Sequence, residues 1–416
     1  TAGQIFREGK DCLMGAGEAC QQGFGDLSIR SLGECRYESP LIERKHCCLI
    51  GDGARVLVSP YLSDLHCGAD GKEPPLSFEE AGPRARLFFK GEDVTAGIVT
   101  CGGLCPGLND VIRTIVMELH WEYGVKKILG FRYGYEGMSS NRRREPMMLT
   151  HDVVKGIQHE GGTILGTSRG PQDVKDMVDT LQSFGINMLF VIGGDGTFSG
   201  AHEIAQEVTA RGLRIAVIGI PKTIDNDIYC SERTFGFSTA VEEGRKAILS
   251  AHNESQAAWN GIGLVKLMGR KSGFIAVHSA LANSDVNFCL IPEIPFTLDG
   301  EGGLLPRLED RLNRRHHAVI VAAEGAGQDL IAGELGRDAS GNLLNKDIGL
   351  FLRDKIQAYF QKKGMPVSLK YIDPSYMIRS TAADADDSGF CVLLGQNAVH
   401  AAMAGKTDMF IGHWNG

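Results

Sequence analysis

The hydrophobic pattern is clearest in two apolar runs, 187–192 and 214–220, which are short, rich in Val and Ile, and closed by Gly or Pro. Such runs are typical of strands that are buried in a parallel sheet. Each run leads into a small loop that carries acidic residues, GGDGT after the first and PKTIDND after the second. Ligands of open α/β sheets bind at the carboxyl ends of the strands. We therefore predict that Asp195 and Asp225 face each other across one cleft.

Strand and helix patterns alternate on both sides of these two runs. The alternation restarts after residue 240, and the second series is long enough to form an α/β domain of its own. The pattern predicts two Rossmann-like domains with doubly wound parallel sheets and an active site in the cleft between them. The other predicted strands are 94–100, 127–131, 262–267, 287–291, 318–323 and the MFIG run, and the predicted helices are 108–123, 173–184, 240–253, 274–282, 304–314, 348–362 and 386–404.

The first 92 residues are the least patterned part of the chain, with weak strand signals at 48–50 and 55–58 among Gly and Pro residues. We interpret them as an extension that wraps on the core or on a neighbouring subunit. The predicted parts are therefore an N-terminal extension at 1–92, a first α/β domain at 93–236 with a return segment at 378–416, and a second α/β domain at 237–377 with an insert near 326–369.

The amino-acid composition argues against some classes of function. The 416 residues are 43% hydrophobic and 23% charged, which is ordinary for a globular protein, and the formal net charge of −8 argues against a nucleic-acid partner. No window approaches the apolar length of a spanning helix, so we expect a soluble protein without a membrane partner. The 11 cysteines form no CxxC pair, which favours reduced thiols. We see no cluster of Cys and His with metal-ligand spacing.

Glycine-rich loops point to phosphate. In GGDGT, the glycines around Asp195 allow a polyphosphate to approach closely, and the carboxylate offers an oxygen ligand to Mg²⁺, directly or through water. Arg169, on the GTSRGP loop, can meet phosphate oxygens with two N–H groups. The CGGLCPG loop with Gly103 can bring backbone N–H groups and a helix N-terminus to a phosphate. A plain tight turn is the alternative for each glycine loop alone, but together they favour a phosphate site.

PKTIDND supplies the acceptor half of a phosphoryl transfer. Attack by a sugar hydroxyl needs a carboxylate that accepts the proton and positive charge on the transferring group. Asp225 is the predicted base, and Asp227 can orient it, raise its basicity or touch the metal shell. Thr223 can donate to the moving phosphoryl group, and Arg270 can balance its charge. The alternative is that the two carboxylates cap the following helix.

Seven motifs, in this order, resemble those of the 6-phosphofructokinase family: TCGGLCPGLNDVIR, GGTILGTSRGP, GGDGT, PKTIDND, LMGRKSGF, AEGAGQ and YIDPSYMIR. The resemblance covers roughly residues 93–405, and the AGPRARLFF and DASGNLLNKDIG stretches are most similar to the long ATP-dependent subgroup of plants and protists. The resemblance implies transfer of the ATP γ-phosphoryl group to the 1-hydroxyl of fructose 6-phosphate in glycolysis. The products would be fructose 1,6-bisphosphate and ADP, with Mg²⁺ as cofactor.

The resemblance also implies roles residue by residue. The implied ATP-binding residues are Gly103, Arg169, Gly170, Gly194, Asp195, Gly196 and Thr197, with Asp195 on Mg²⁺. The implied catalytic residues are Asp225 as proton acceptor together with Thr223, Arg270, Asp227 and Lys222. The implied sugar-phosphate residues are Thr223, Ile224, Asp225, Met268, Gly269, Arg270, Glu324, Tyr376, Arg379 and Lys370, the last of which would reach the 6-phosphate of a neighbouring subunit.

The chain departs from the short bacterial-type enzymes at several positions. Gly261 stands where they carry an arginine for the 6-phosphate, so another residue must supply that charge, and Tyr376 replaces a histidine. Gly196 is the residue type of ATP users, whereas Lys222 is shared with pyrophosphate users. We give Gly196 the greater weight because a side chain there would obstruct the α-phosphate of ATP.

Three alternatives stay open on the sequence. The first is the same transfer from pyrophosphate. The second is a NAD or lipid kinase, since both use GGDGT but neither needs TIDND and MGR as walls of a sugar-phosphate site. The third is a non-catalytic subunit that binds effectors. We expect a homo-oligomer, with a tetramer as the expected form, and a cytoplasmic location, with a plastid or peroxisome-like organelle as alternatives.

Overall fold

The computed structural model describes residues 27–45, 47–61, 75–141, 144–331, 336 and 345–415. The chain divides into two compact units. The first contains the described residues up to Lys222, with 228–235 and 388 onward, and the second contains 223–227 and 236–387. The unit boundaries therefore lie at 222/223, 227/228, 235/236 and 387/388, whereas the sequence pattern predicted boundaries at 236/237 and 377/378.

Regular elements alternate along the described chain as an α/β protein requires. The strands are β1 Arg30–Ser31, β2 Tyr37–Glu38, β3 Arg55–Leu57, β4 Ser77–Glu79, β5 Arg86–Leu87, β6 Thr95–Thr100, β7 Lys127–Phe131, β8 Met147–Met148, β9 Met188–Gly193, β10 Ala216–Pro221, β11 Gly261–Leu267, β12 Phe288–Leu290, β13 His317–Ala323, β14 Ser368–Ile372, β15 Lys406–Thr407 and β16 Met409–Phe410. The α-helices are α1 Leu108–Met117, α2 His151–Val154, α3 Val174–Ser183, α4 Asp195–Ala210, α5 Phe237–Gln256, α6 Phe274–Leu281, α7 Leu304–Arg315, α8 Ile348–Lys362, α9 Ser375–Ser380 and α10 Ala385–Met403.

The first unit is built on a six-stranded sheet with the order β16-β10-β9-β6-β7-β8. Every pairing in it is parallel except β7 with β8. Thr100 pairs with Ile192, and Pro221 pairs with Gly193, so β6, β9 and β10 end together at one edge. The predicted buried parallel strands are thus confirmed, and the loops that follow them emerge side by side.

The second unit has a four-stranded parallel sheet with the order β12-β13-β11-β14. Alternate residues of a strand point to opposite faces. Ile262 and Leu264 of β11 therefore join the apolar cluster under α7 and α8, whereas Val265 and Leu267 join the cluster under α5 and α6. Helices on both faces make this sheet doubly wound, as predicted.

The N-terminal extension contributes short antiparallel pairs to the first unit. β2 pairs with β5, β3 pairs with β4, and β1 pairs with β15 near the other end of the chain. The predicted strand at 48–50 is wrong, because these residues form irregular backbone in which Ile50 N–H donates to the Pro83 carbonyl at 2.8 Å. The extension sequence at 1–26 and much of the insert, at 332–335 and 337–344, lie outside the described residues.

Three further differences from the sequence pattern concern element ends and short elements. The predicted helix at 108–123 is α-helical only to Met117 and continues as one π-helical turn, Glu118–Glu122. β14 and α9 were not predicted, because their apolar positions are too few for a clear period.

No helix in the described part of the chain combines the length and apolar character needed to cross a membrane.

Helix α5 begins three residues before its predicted start, and a distant carboxylate caps it. Oδ2 of Asp387 accepts hydrogen bonds from the N–H and the hydroxyl of Thr239, at 2.7 and 2.6 Å. Thr239 lies in the first turn of α5, where N–H groups have no partner within the helix. Both residues are buried, and Asp384 N–H donates to the Thr239 hydroxyl at 3.0 Å, so these contacts tie the start of α5 to residues 384–387.

We predict that Asp387→Ala lowers the free energy of unfolding by about 3 kcal/mol, because it leaves buried donors of Thr239 unsatisfied. The exposed neighbour Asp386→Ala is the control and should shift stability by less than about 0.5 kcal/mol. Urea unfolding followed by circular dichroism measures both. Equal stability of the two variants would contradict the capping role.

Candidate active site

The glycine-rich loop after β6 is joined to the loop that carries Arg169. The N–H of Gly102 donates to the carbonyl of Ser168 at 3.0 Å, and the hydroxyl of Thr167 donates to the carbonyl of Gly102 at 2.7 Å. Gly102 adopts a φ of +87°, which favours glycine. Arg169 is exposed beside this junction. The two predicted phosphate loops are therefore adjacent in the first unit.

GGDGT closes β9 and opens α4. Gly194 is the N-cap residue, and Asp195 and Gly196 lie exposed in the first turn of this 16-residue helix. Gly193 is required by packing, since a Cβ there would lie 2.4 Å from the Thr197 side chain. The carbonyl of Thr197 accepts a 2.8 Å hydrogen bond from the buried hydroxyl of Tyr135, which fixes the turn. A helix N-terminus with exposed N–H groups favours an anion.

Gly196 differs from Gly193 because the fold does not require it. Beyond the adjacent backbone of α4, no heavy atom of the described residues lies within 4 Å of the position that its Cβ would occupy, and its φ is not in the left-handed region. The space next to the first turn of α4 is therefore open. A small residue at this point leaves that space to a ligand.

Lys222 places a cation beside the glycine-rich loop. Its N–H donates to the carbonyl of Gly193 at 2.9 Å, and its side chain is buried. Its Nζ lies 3.4 Å from the position that a Cβ on Gly102 would occupy. The loops after β6, β9 and β10 thus meet around Lys222.

Asp225 is the central carboxylate of the second unit. Its Oδ2 accepts the N–H of Arg270 at 3.2 Å, and its carbonyl accepts the hydroxyl of Ser272 at 3.0 Å. Its Oδ1 is buried and has no hydrogen-bond partner among the described residues. One oxygen is therefore held by the backbone, and the other can accept a proton from a ligand.

Electrostatics favours a proton acceptor at Asp225. Burial raises the pKa of Asp225 to about 7, and the negative charge of Asp227 adds to the rise, while the N–H of Arg270 opposes it. Burial disfavours the charged carboxylate because water no longer solvates it. A base whose pKa lies near neutrality transfers protons efficiently at physiological pH.

Thr223 connects the two carboxylates of PKTIDND. Its hydroxyl donates to Oδ1 of Asp227 at 2.7 Å and accepts the N–H of Asp225 at 3.2 Å. Asn226, between the two acids, has a left-handed φ of +57°. This turn sets Asp225 and Asp227 in different surroundings, because Asp225 is desolvated whereas Asp227 is exposed. The alternative that both acids cap a helix does not hold, because the next helix, α5, starts at Phe237 and receives Asp387.

The MGR and AEG motifs lie side by side at the ends of β11 and β13. The N–H of Glu324 donates to the Leu267 carbonyl, and the N–H of Gly325 donates to the Gly269 carbonyl, both at 2.9 Å. A Cβ on Gly325 would lie 2.0 Å from the Arg270 carbonyl, so this close approach requires glycine. Burial raises the pKa of Glu324, and the charge of Arg270 opposes that rise.

The remaining predicted sugar-phosphate residues are distributed over the second unit. Arg379 stacks its guanidinium 4.8 Å from the ring centroid of Tyr376, which is 79% exposed on α9. Lys370 is exposed on β14 and pairs with Gly263 of β11. Met268 is buried, and Ile224 packs against the apolar cluster under α5.

Gly261 cannot be replaced by arginine without a change of the backbone. A Cβ there would lie 2.0 Å from the carbonyl of Ser255 at the end of α5. The positive charge that short enzymes carry at this point must therefore come from elsewhere.

Sequence reasoning missed Lys266, which lies two residues before Met268. Its Nζ is 2.9 Å from Oδ2 of Asp347 and 2.8 Å from Oδ2 of Asp373. The available signal was a single charge inside an otherwise apolar strand, GIGLVKL. Such a charge is rarely buried unless it is paired.

The predicted residues fall into two sets. The first unit brings together Gly102, Arg169, Gly194–Thr197 and Lys222, whereas the second brings together Thr223, Asp225, Asp227, Arg270 and Glu324. That Asp195 and Asp225 face each other across one cleft stays a prediction.

Asp195 fits a magnesium ion that is shared with phosphates. Its carboxylate is exposed at the first turn of α4. Among the described residues, no group of three or more His, Cys, Asp or Glu side chains could hold a metal ion alone. Mg²⁺ is commonly bound by one or two carboxylates together with substrate phosphates and water, so this sparse donor set suits it.

Known proteins share this organisation. The family model described as phosphofructokinase matches residues 95–402. An "ATP-dependent 6-phosphofructokinase" of Borreliella burgdorferi is 49% identical, over 94% of this chain and 89% of that protein. "ATP-dependent 6-phosphofructokinase 7" of Arabidopsis thaliana is 53% identical, over 82% of this chain and 70% of that protein. The Trypanosoma brucei brucei enzyme of the same type is 50% identical, over 81% of this chain and 69% of that protein.

Solved structures share the fold. The crystal structure of the pyrophosphate-dependent phosphofructokinase of Marinobacter aquaeolei aligns with a TM-score of 0.62 and 22% identity, over 76% of this chain and 77% of that one. The T-state phosphofructokinase of Pichia pastoris aligns with a TM-score of 0.59 and 23% identity, over 83% of this chain but only 34% of that one. Since the family model covers more than half of the chain and three relatives are about half identical to it, the chain belongs to the phosphofructokinase family.

Proposed function

We propose that the protein transfers the γ-phosphoryl group of ATP to the 1-hydroxyl of fructose 6-phosphate, giving fructose 1,6-bisphosphate and ADP in glycolysis. The observation that carries this proposal is Asp225, a desolvated carboxylate with one oxygen held by a backbone N–H and the other available to a substrate hydroxyl. Relatives at about 50% identity carry the same activity in their names, which supports the assignment.

Asp225 removes the proton of the 1-hydroxyl. Its Oδ1 accepts this proton while Oδ2 stays hydrogen-bonded to Arg270 N–H, so the carboxylate does not need to turn. The hydroxyl oxygen then forms its bond to the γ-phosphorus as the bond to the β-phosphate oxygen breaks, and ADP leaves. The negative charge of exposed Asp227 raises the pKa of Asp225 and so increases its basicity.

Positive charge and donors offset the charge of the transferring group. Arg270 follows Gly269 on the loop after β11. Its backbone N–H contacts Asp225, the proposed base, and its side chain carries a guanidinium. Thr223 can exchange its bond to Asp227 for one to a phosphoryl oxygen. Donors that are directed at the developing negative charge stabilise the transition state.

The first unit binds ATP in this proposal. The N-terminus of α4 and Arg169 receive the phosphates, and the open space at Gly196 admits the α-phosphate. Asp195 would hold Mg²⁺ together with the phosphates, and the ion would neutralise charge on the phosphoryl oxygens. Gly103, Gly170 and Thr197 complete the glycine-rich surroundings.

Fructose 6-phosphate binds to the second unit. Met268, Gly269 and Glu324 lie at the ends of β11 and β13 and line this proposed site. Ile224 packs behind them. Arg379 and Tyr376 of α9 offer a cation and a hydroxyl to the 6-phosphate. Lys370 completes the set from a neighbouring subunit, so the active form in this proposal is a homo-oligomer, with a tetramer expected.

The location in this proposal is the cytoplasm. It is supported by the described cysteines, among which no disulfide forms, as suits a reducing compartment. Some relatives carry the word chloroplastic in their names, so a plastid is the alternative.

The donor is tested by coupled assays with ATP and with pyrophosphate, each with and without Mg²⁺. We expect turnover with ATP and Mg²⁺ only. Lys222 is the feature that would suit pyrophosphate, and turnover with pyrophosphate but not ATP would reverse the assignment of the donor. Phosphorylation of NAD or diacylglycerol with fructose 6-phosphate inert would instead indicate a different acceptor.

We predict that Asp225→Ser lowers kcat by about 10²- to 10⁴-fold, because the general base is lost. The KM for fructose 6-phosphate should stay within a few fold, since the other contacts remain. Steady-state kinetics measures both, with Asp299→Ser, a change at an exposed carboxylate of the same unit, as control. Near-normal turnover in Asp225→Ser would exclude its role as base.

The pH profile of kcat/KM should rise with pH and level off above a midpoint of about 7, since Asp225 acts when ionised and its pKa is about 7. Asp227→Asn removes a negative charge that raises the pKa of Asp225, so the midpoint should move to lower pH. Asp299→Asn should leave the midpoint unchanged. An unmoved midpoint in Asp227→Asn would show that the two carboxylates are not coupled.

We predict that Gly196→Asp raises the KM for ATP by about tenfold or more, because a carboxylate in the open space beside α4 repels phosphate. Gln206→Glu adds the same charge at an exposed position about 15 Å further along α4, beyond the Debye length, and should leave the KM for ATP within about twofold. The fold accommodates the change at Gly196, since the site there is open. Equal KM values for the two variants would contradict ATP binding at this turn.

A further inference from the structure

Lys266 carries a buried charge in the middle of the second unit. Its side chain is only 12% exposed, and its ammonium contacts both Asp347 and Asp373. One cation between two carboxylates leaves a net negative charge in a partly buried place. Removal of the cation would leave two carboxylates in mutual repulsion, which costs more than the loss of an exposed ion pair.

The two carboxylates belong to different elements. Asp347 is the N-cap of α8, since its Oδ1 accepts Leu350 N–H at 3.0 Å, and the same oxygen accepts the Tyr371 hydroxyl at 3.2 Å. Asp373 accepts the N–H and the hydroxyl of Ser375, at 3.1 and 2.5 Å, and so fixes the first residue of α9. Lys266 therefore ties the end of β11 to the starts of α8 and α9.

Both carboxylates are ionised in this arrangement. Burial alone would raise the pKa of Asp373, but the hydrogen bonds from Lys266 and Ser375 outweigh it and lower the pKa. The pKa of Asp347 is also lowered, because the hydrogen bonds from Leu350 N–H and Lys266 outweigh its burial. Two anions around one ammonium are a directional contact that an uncharged side chain cannot reproduce.

The position of this contact gives it a consequence for the site. Lys266 is two residues from Met268 and four from Arg270, whereas α9 carries Tyr376 and Arg379. The bond from Lys266 to Asp373 joins these two groups within one unit. The helix α9 has six residues, of which Ile378 is buried in the apolar cluster under α5 and α6 while Tyr376 is exposed.

We propose that Lys266 is a positioning residue for fructose 6-phosphate, which sets α9, with Tyr376 and Arg379, against the loop of Met268 and Arg270 through Asp373. The inference rests on the proposed function, since it deepens the role of the second unit. Lys266 itself does not touch the reacting atoms. Its contribution is to keep the sugar-phosphate contacts formed before the substrate arrives, which lowers the entropy cost of binding.

Lys266→Met keeps the length of the aliphatic stem and removes the charge. We expect the KM for fructose 6-phosphate to rise by about tenfold, while kcat at saturation and the KM for ATP stay within about twofold. Lys246→Met, at an exposed lysine of α5 paired with Glu243 at 2.8 Å, is the matched control and should leave all three unchanged. A merely structural role would lower the amount of active enzyme or change both KM values together.

A second pair of variants acts within the contact and preserves its shape. Asp373→Asn weakens the bond that leads to α9, whereas Asp347→Asn weakens the bond that leads to α8, which carries none of the sugar-phosphate residues. The inference expects a clear rise in the KM for fructose 6-phosphate in Asp373→Asn and a smaller one in Asp347→Asn. This comparison decides the matter even where Lys266→Met does not fold.

The outcomes separate the inference from the proposed function. Failure of the unmodified protein to use fructose 6-phosphate would overturn the proposed function. Activity in the unmodified protein, with an unchanged KM for fructose 6-phosphate in folded Lys266→Met or equal KM values in Asp373→Asn and Asp347→Asn, would overturn the positioning role alone.

Discussion

Close backbone approach at the ends of parallel strands is the constraint on which the rest of this protein depends. Lys222 N–H reaches the Gly193 carbonyl in the first unit, and Gly325 N–H reaches the Gly269 carbonyl in the second. Glycine is needed at both places, since a Cβ on Gly193 would lie 2.4 Å from the Thr197 side chain and a Cβ on Gly325 would lie 2.0 Å from the Arg270 carbonyl. Because the strands end in register, the loops that follow them lie next to each other.

The electrostatics of the second unit follow from this geometry. Asp225 and Glu324 are drawn into partly buried places by backbone contacts, and burial raises the pKa of each. Arg270, the nearby guanidinium, opposes both rises. In the proposed function a substrate phosphate adds negative charge, and Arg379 and Lys370 are expected to offset it. Lys266 is another charge in a largely buried place, and it is stabilised there by pairing with two carboxylates at once.

Different elements were predictable to different degrees. The buried strands of both sheets and helix α8 were predicted correctly because their apolar residues keep one regular pattern over the whole element, which excludes other structures. The strand at 48–50 was wrong because three apolar residues do not fix a backbone that can instead bond to Pro83. β14 and α9 were missed because short elements take their structure from neighbours, here the pairing with β11 and the Lys266 contact.

The sequence by itself determined the α/β class, the family and the loops that carry acidic and glycine residues, because these depend on local order along the chain. Only the tertiary structure decided which charges are desolvated, since burial depends on residues far apart in sequence. It separated Asp225, with its raised pKa and one buried oxygen that has no hydrogen-bond partner among the described residues, from exposed Asp227 only two residues away. It also showed that Gly196 faces open space whereas Gly261 meets a carbonyl, because the room at a glycine is set by whatever packs against it.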